Sequence, residues 1–108
     1  MIKPSKVVFI SDELEKDFNS LREDDFLKRS ITRAIRDLKG NAFSGIQVPK
    51  RLIPGEFVKK YGIKNLWKYD LPKGWRLLYT ITADNDVELI SAILEWFDHK
   101  KYERKFNY

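Results

Sequence analysis

Hydrophobic residues along the 108-residue chain fall first into a short block, then into a helical rhythm, and finally into alternation. Val7-Val8-Phe9-Ile10 is long enough for one buried strand and too short for a helix. Ser11-Asp12 offers an N-cap, and Glu15, three residues after Asp12, completes a capping-box pattern. Leu14, Phe18 and Leu21 recur at helical spacing and predict a first helix to about Arg22. Glu23-Asp24-Asp25 ends it and caps a second helix. Leu27, Ile31, Ala34, Ile35 and Leu38 form the apolar stripe of that helix, with Lys28, Arg29, Arg33 and Arg36 on its other faces. Gly40-Asn41 stops it, because either residue tolerates the left-handed conformation common at helix ends. Two short helices across a tight acidic link predict a helical hairpin.

After Gly45 the rhythm changes. Gly45 to Pro49 predicts a brief edge strand, since Pro49 cannot donate to a ladder. Pro54 is placed to begin a single turn of helix through Phe57, Val58 and Tyr61, ending at Gly62. Trp67, Tyr69 and Leu71 alternate with Lys68 and Asp70, the period of a strand with one apolar face. Pro72-Lys73-Gly74 has turn chemistry, with Pro presetting one dihedral and Gly accepting a positive one. Trp75, Leu77, Tyr79 and Ile81 then alternate with Arg76, Leu78, Thr80 and Thr82. Asp84-Asn85-Asp86 predicts a second turn. Val87 to Phe97 is apolar on both faces except at Glu88, Ser91 and Glu95, which predicts a central strand covered on both sides. The expectation is an α+β fold: β-α-α followed by an antiparallel meander and a charged tail, with the two N-terminal helices packed on one face of a small sheet.

Composition narrows the class. At 43% hydrophobic and 14% aromatic, the chain fills one small core, so residues 1–108 are expected to form a single domain. No stretch approaches the roughly 18 apolar residues of a membrane span. The opening Met1-Ile2-Lys3-Pro4-Ser5-Lys6 precedes only four apolar residues, which predicts no signal peptide. Zero cysteines exclude disulfides, thiolate nucleophiles and zinc–thiolate sites. With His99 as the one histidine, neither a histidine pair nor a His-rich metal cage can be built. A cytoplasmic domain with no cofactor, no metal and no membrane partner is the expectation.

Charge is unevenly placed. Residues 26–82 carry thirteen Lys/Arg against three Asp/Glu, while residues 1–25 and 83–108 are each net acidic. Such a middle section suits a surface aimed at a polyanion, although lysines that merely solvate a surface give the same count. Arg76 sits on the polar face of its strand, where a guanidinium can grip a phosphate through two donors; an ion pair with Asp70 or Glu95 is the competing assignment. Lys68 points the same way and lies beside Arg76 if the strands pair around Pro72–Gly74. Two adjacent cations repel, a cost that makes sense where an anion binds. His99 can exchange protons near neutrality, and Tyr102 shares its face if the tail is helical, among Lys100, Lys101, Arg104 and Lys105. Equally, His99 can be a surface residue, and Tyr102 with Phe106 can clamp the tail onto the sheet. Lys50, Arg51, Lys64 and Lys73 extend the basic character as RNA-binding candidates, with Lys100 and Lys101. Trp67, Trp75 and Trp96 can stack on nucleobases or fill the core.

Taken in order, Trp67-Lys68-Tyr69-Asp70-Leu71, Gly74-Trp75-Arg76-Leu77-Leu78-Tyr79 and His99-Lys100-Lys101-Tyr102 resemble the RelE/ParE toxin superfamily. The segment Asn41 to Lys50 is similar to that of its YoeB-type branch, and the resemblance covers nearly the whole chain. It implies a RelE-like fold and a ribosome-dependent mRNA endoribonuclease. It also implies metal-independent cleavage by 2′-hydroxyl attack, and a cognate antitoxin protein as partner beside mRNA on the ribosome. Arg76 matches the transition-state arginine, Lys68 the first strand lysine, and His99 and Tyr102 the C-terminal proton-handling and stacking positions. Asp70 replaces the second strand lysine, and Lys50 stands where the YoeB branch has a glutamate base. His99 would then be the main proton carrier, complemented by Lys68 or Tyr102. A module that binds RNA or protein without cleaving, and a ParE-like gyrase inhibitor, remain open alternatives.

Overall fold

The apolar stripe of the second helix finds its partner in a five-stranded mixed sheet. The structure is a computed structural model that describes residues 2–83, 85 and 88–106, the side chains of residues 102–105 excepted. In chain order the elements are β1 (Ser5–Phe9), α1 (Asp12–Ser20), α2 (Phe26–Gly40), β2 (Ile46–Gln47), α3 (Gly55–Tyr61), β3 (Trp67–Asp70), β4 (Arg76–Ala83), β5 (Leu89–Phe97) and α4 (His99–Phe106). Spatially the strands run β1-β5-β4-β3-β2. Only β1 and β5 pair in parallel; the other contacts are antiparallel. The class is α+β, with helices on both faces of the sheet.

The α2 stripe buries Leu27, Ile31, Ala34 and Leu38 against Leu77, Tyr79 and Ile93, and Leu14 and Phe18 of α1 join from the side. Each fully buried Leu or Ile there contributes about 2 kcal/mol. Trp67, Trp75 and Trp96 pack around this cluster, so all three serve the core rather than lying free for base stacking. A second core occupies the opposite face, where Leu78, Leu94 and Phe97 meet Phe57 and Ile63 from the α3 region and Phe106 of α4. The alternation of Arg76, Leu78, Thr80 and Thr82 predicts a polar side for β4, yet Leu78 and Thr80 are buried. The charged tail is amphipathic, and Phe106 seals the second core.

Several local expectations shift. Ser11 alone caps α1, accepting the Leu14 N–H at 3.1 Å, so Glu15 sits one position too late for a capping box, and α1 ends at Ser20. Asn41 ends α2 in extended backbone, not in a left-handed turn; its side chain accepts from the N–H groups of Lys3 and Phe43 at 3.1 Å each. Strand β1 is an edge strand with alternating burial, not a buried one. Lys28 is buried, its ammonium donating to the Phe18 carbonyl at 3.0 Å and lying 4.2 Å from the centre of that ring. A cation is favourable at the carbonyl end of a helix, and here it staples α1 to α2. Gly62 does end α3 in the left-handed conformation, at φ 63°. Of the expected Asp84–Asp86 turn only Asn85 is described, its side chain accepting the Glu88 N–H; Asp84, Asp86 and Val87 lie outside the described residues.

Candidate functional site

Register places the strand cations. Asp70 faces Arg76, and Lys68 faces Leu78 across the β3–β4 pair. Paired residues point to the same side of a sheet, so Lys68 and Arg76 are diagonal neighbours, roughly 7–8 Å apart at their backbones. Both stand on the face of the second core, where Lys68 is half-buried beside Leu66. Of the two carboxylates open to Arg76, the structure selects Asp70: the Asp70 Oδ1 lies 3.0 Å from Arg76 Nε. The guanidinium also donates through Nη1 to its neighbour's Trp75 carbonyl at 3.2 Å. Its side chain keeps 22% exposure and Asp70 keeps 52%, so the pair sits at the surface and one side of it faces solvent.

His99 opens α4 immediately after β5. Asp98 holds that turn by accepting the Lys101 N–H at 2.9 Å. Gly74, at φ 79°, runs so close beneath that a Cβ there would meet the His99 Cβ at 3.3 Å. This packing sets the imidazole of an exposed residue over the β3–β4 turn, at the Arg76 end of the sheet. Lys68 and Arg76 therefore share one face of β3 and β4, and His99 packs on the turn that joins those strands, next to the Arg76 end. The side chain of Tyr102 lies outside the described residues, as do those of Arg104 and Lys105.

The remaining basic candidates divide into two groups. Lys50 and Lys64 line one recess of about 520 Å³ with Gln47 and Pro49, near the edge strand that carries Ile46 opposite Lys68. Arg51 is exposed beside Lys50, and Lys100 and Lys101 are exposed on α4, with the Lys101 ammonium 5.6 Å from the Phe97 ring centre. Lys73 departs from this group. Its backbone is left-handed at φ 61°, and its ammonium lies 4.2 Å from the centre of the Phe26 ring, toward α2.

Two positioning features went unread in the sequence. Tyr79 is fully buried; its hydroxyl donates to the Ala42 carbonyl at 2.8 Å and accepts the Gly45 N–H at 3.0 Å. Burial pushes its phenol up to about 12. The chain passes so near that a Cβ on Gly45 would lie 2.4 Å from the Lys68 carbonyl oxygen. Asn65 continues the ladder past Trp67 with its side chain, accepting the Ile81 N–H at 2.9 Å and donating to the Ile81 carbonyl at 2.8 Å. The only sequence signals were a tyrosine within an apolar alternation and an asparagine before a strand.

Among the described residues, no group of three or more His, Asp or Glu lies close enough to hold a metal ion, and no helix is long and apolar enough to cross a membrane. Comparison with known proteins returns no matching family model, no matching curated protein and no matching solved structure.

Proposed function

We propose that the chain is a RelE-like endoribonuclease that cuts mRNA on the ribosome and is neutralised by a cognate antitoxin protein. One observation carries this reading: Lys68 and Arg76 are diagonal neighbours on one sheet face, with His99 packed over the turn at the same end. In the reaction, the 2′-hydroxyl loses its proton and attacks the adjacent phosphorus. The bond to the 5′-oxygen breaks, and that oxygen takes a proton as it leaves. The products are a 2′,3′-cyclic phosphate, which water can then open to a 3′-phosphate, and a 5′-hydroxyl. Negative charge grows on the phosphate oxygens between these events, where a guanidinium and an ammonium stabilise it. His99 moves the protons, with Lys68 or Tyr102 as complement. Lys50, Arg51, Lys64, Lys100 and Lys101 extend the cationic footprint along the strand.

Asp70 has to yield Arg76 to the incoming phosphate. Half-exposed ion pairs are worth at most about 1 kcal/mol, so the exchange is inexpensive. The same ion pair favours a second reading, a module that holds RNA without cutting it. Primer extension on an mRNA under translation separates the two. New 5′ ends that appear with the wild-type chain and vanish in Arg76→Ala and His99→Ala support the nuclease. Cleavage unchanged by both substitutions removes these residues from the reaction. Salt-sensitive RNA binding without any product leaves the binding module. Loss of supercoiling by gyrase, with mRNA intact, would indicate the ParE-like function instead.

A further inference from the structure

A second cationic recess lies on the other side of the β3–β4 turn, between α2 and the end of β3, with a volume of about 450 Å³. Arg29 and Arg33 line it from α2, one turn apart and about 6 Å along the axis; Lys73 lines it from the turn, and Phe26 and Tyr69 supply aromatic surface. Among the described residues, none of these three cations forms an ion pair with a carboxylate. Two carboxylates are close, and both are engaged: Asp70, which also lines the recess, with Arg76 at 3.0 Å, and Asp37 as acceptor of the Tyr69 hydroxyl. Arg29 is held in place by the Asp24 carbonyl, 2.7 Å from its Nη1, which uses one of the five donors of the guanidinium. Lys73 adopts the left-handed conformation without being glycine, and strain of that kind concentrates where a side chain has to be aimed. Three gathered positive charges repel one another until an anion joins them. The volume falls in the range of small-ligand sites, and guanidinium forks beside aromatic faces match a phosphate attached to a nucleobase.

We propose that this recess binds a nucleotide, its phosphate held by Arg29, Arg33 and Lys73 and its base laid on Phe26 or Tyr69. The nucleotide is either free or one unit of an RNA strand. The recess opens toward α2 and shares with the Lys68, Arg76 and His99 face only Asp70, the partner of Arg76; the proposal does not depend on whether that face cuts RNA.

The test is calorimetric titration of the full chain with AMP and with an eight-nucleotide single-stranded RNA, both in a Lys68→Ala/His99→Ala background that weakens the other face and leaves Arg76 paired with Asp70. The comparison adds Arg29→Gln/Arg33→Gln, which keeps both side-chain stems, with thermal melting to verify the fold. AMP binding that falls tenfold or more on adding the glutamines identifies a free-nucleotide site. RNA binding alone, with its log–log salt slope reduced by about 1.4 for two lost phosphate contacts, identifies a strand-binding site. Failure of both ligands to bind, or binding indifferent to the glutamines, overturns the proposal. So does capture of a polyglutamate peptide through the same arginines when neither nucleotide ligand binds.

Discussion

Tyr79→Phe removes a single oxygen from the corner that holds the Ala42–Gly45 segment against β4. In the wild type that oxygen makes two bonds, at 2.8 Å to the Ala42 carbonyl and 3.0 Å from the Gly45 N–H. Ala42 is fully buried, so its carbonyl has no access to water once the hydroxyl is gone. Gly45 is only half-buried, and its N–H can be hydrated. One stranded acceptor and one weakened donor together cost about 2 kcal/mol. With a urea dependence of about 2 kcal/mol per molar for a chain of this size, the unfolding midpoint falls by about 1 M at unchanged slope. The phenol gives the experiment an independent arm. Its proton is lost near pH 10 in the unfolded chain but only near pH 12 in the folded one. Between those values the unfolded state binds fewer protons, so stability falls as pH rises, by up to about 3 kcal/mol over the two units. Tyr79→Phe abolishes that share of the alkaline loss, while Tyr69, raised to about 12 chiefly by burial and then by its bond to Asp37, keeps its own share. Urea titrations at pH 8 and across pH 10–12 measure both effects. A midpoint shift below about 0.2 M, a fifth of the predicted shift, or an alkaline slope identical in the two proteins, would refute the reasoning.

Asp70→Asn releases Arg76 from its 3.0 Å partner. RNA affinity, measured by fluorescence anisotropy at fixed salt, should rise up to about fivefold, the equivalent of about 1 kcal/mol for a half-exposed pair; unchanged or weaker binding would show that the carboxylate does not compete with phosphate. Phe106→Ala withdraws a buried ring whose centre lies 6.4 Å from that of Phe57. Stability should drop by about 3 kcal/mol, and amide exchange in α4 should accelerate more than in β4; equal acceleration in both would mean that the ring does not specifically anchor the helix.

Long periodic segments carried their structure openly. The α2 stripe, the Trp67 and Trp75 alternations and the Pro72–Gly74 turn announce themselves because one face of each meets an apolar layer. The doubly apolar run of β5 announced a layer on each side of that strand, as found. What stayed hidden was which segments supply the second layer: Leu78 and Thr80 read as part of a polar face of β4 until α3 and Phe106 are folded over it. Capping was ambiguous for a similar reason. Ser11 and Asp12 are both good caps, and only the backbone trajectory from β1 selects Ser11. At the candidate site, the diagonal placement of Lys68 and Arg76 followed from turn position and strand parity. The choice between Asp70 and Glu95 as the partner of Arg76 depended on side-chain reach, which parity does not specify. Lys73 reads as one of the RNA-binding candidates with Lys50, Arg51 and Lys64, yet its left-handed backbone turns its ammonium toward Phe26.

The central claim is that Arg76 and His99 act together on a scissile phosphodiester. Its most direct test is the end chemistry of mRNA fragments made by the purified chain in a translating extract, with rates for wild type, Arg76→Ala and His99→Ala. The account predicts 5′-hydroxyl ends paired with cyclic or 3′-phosphates, formed at least about a hundredfold more slowly when the guanidinium is removed and more slowly again without the imidazole. Fragments with 5′-phosphate ends, or fragments formed at the wild-type rate by the Arg76→Ala/His99→Ala double variant, would contradict it.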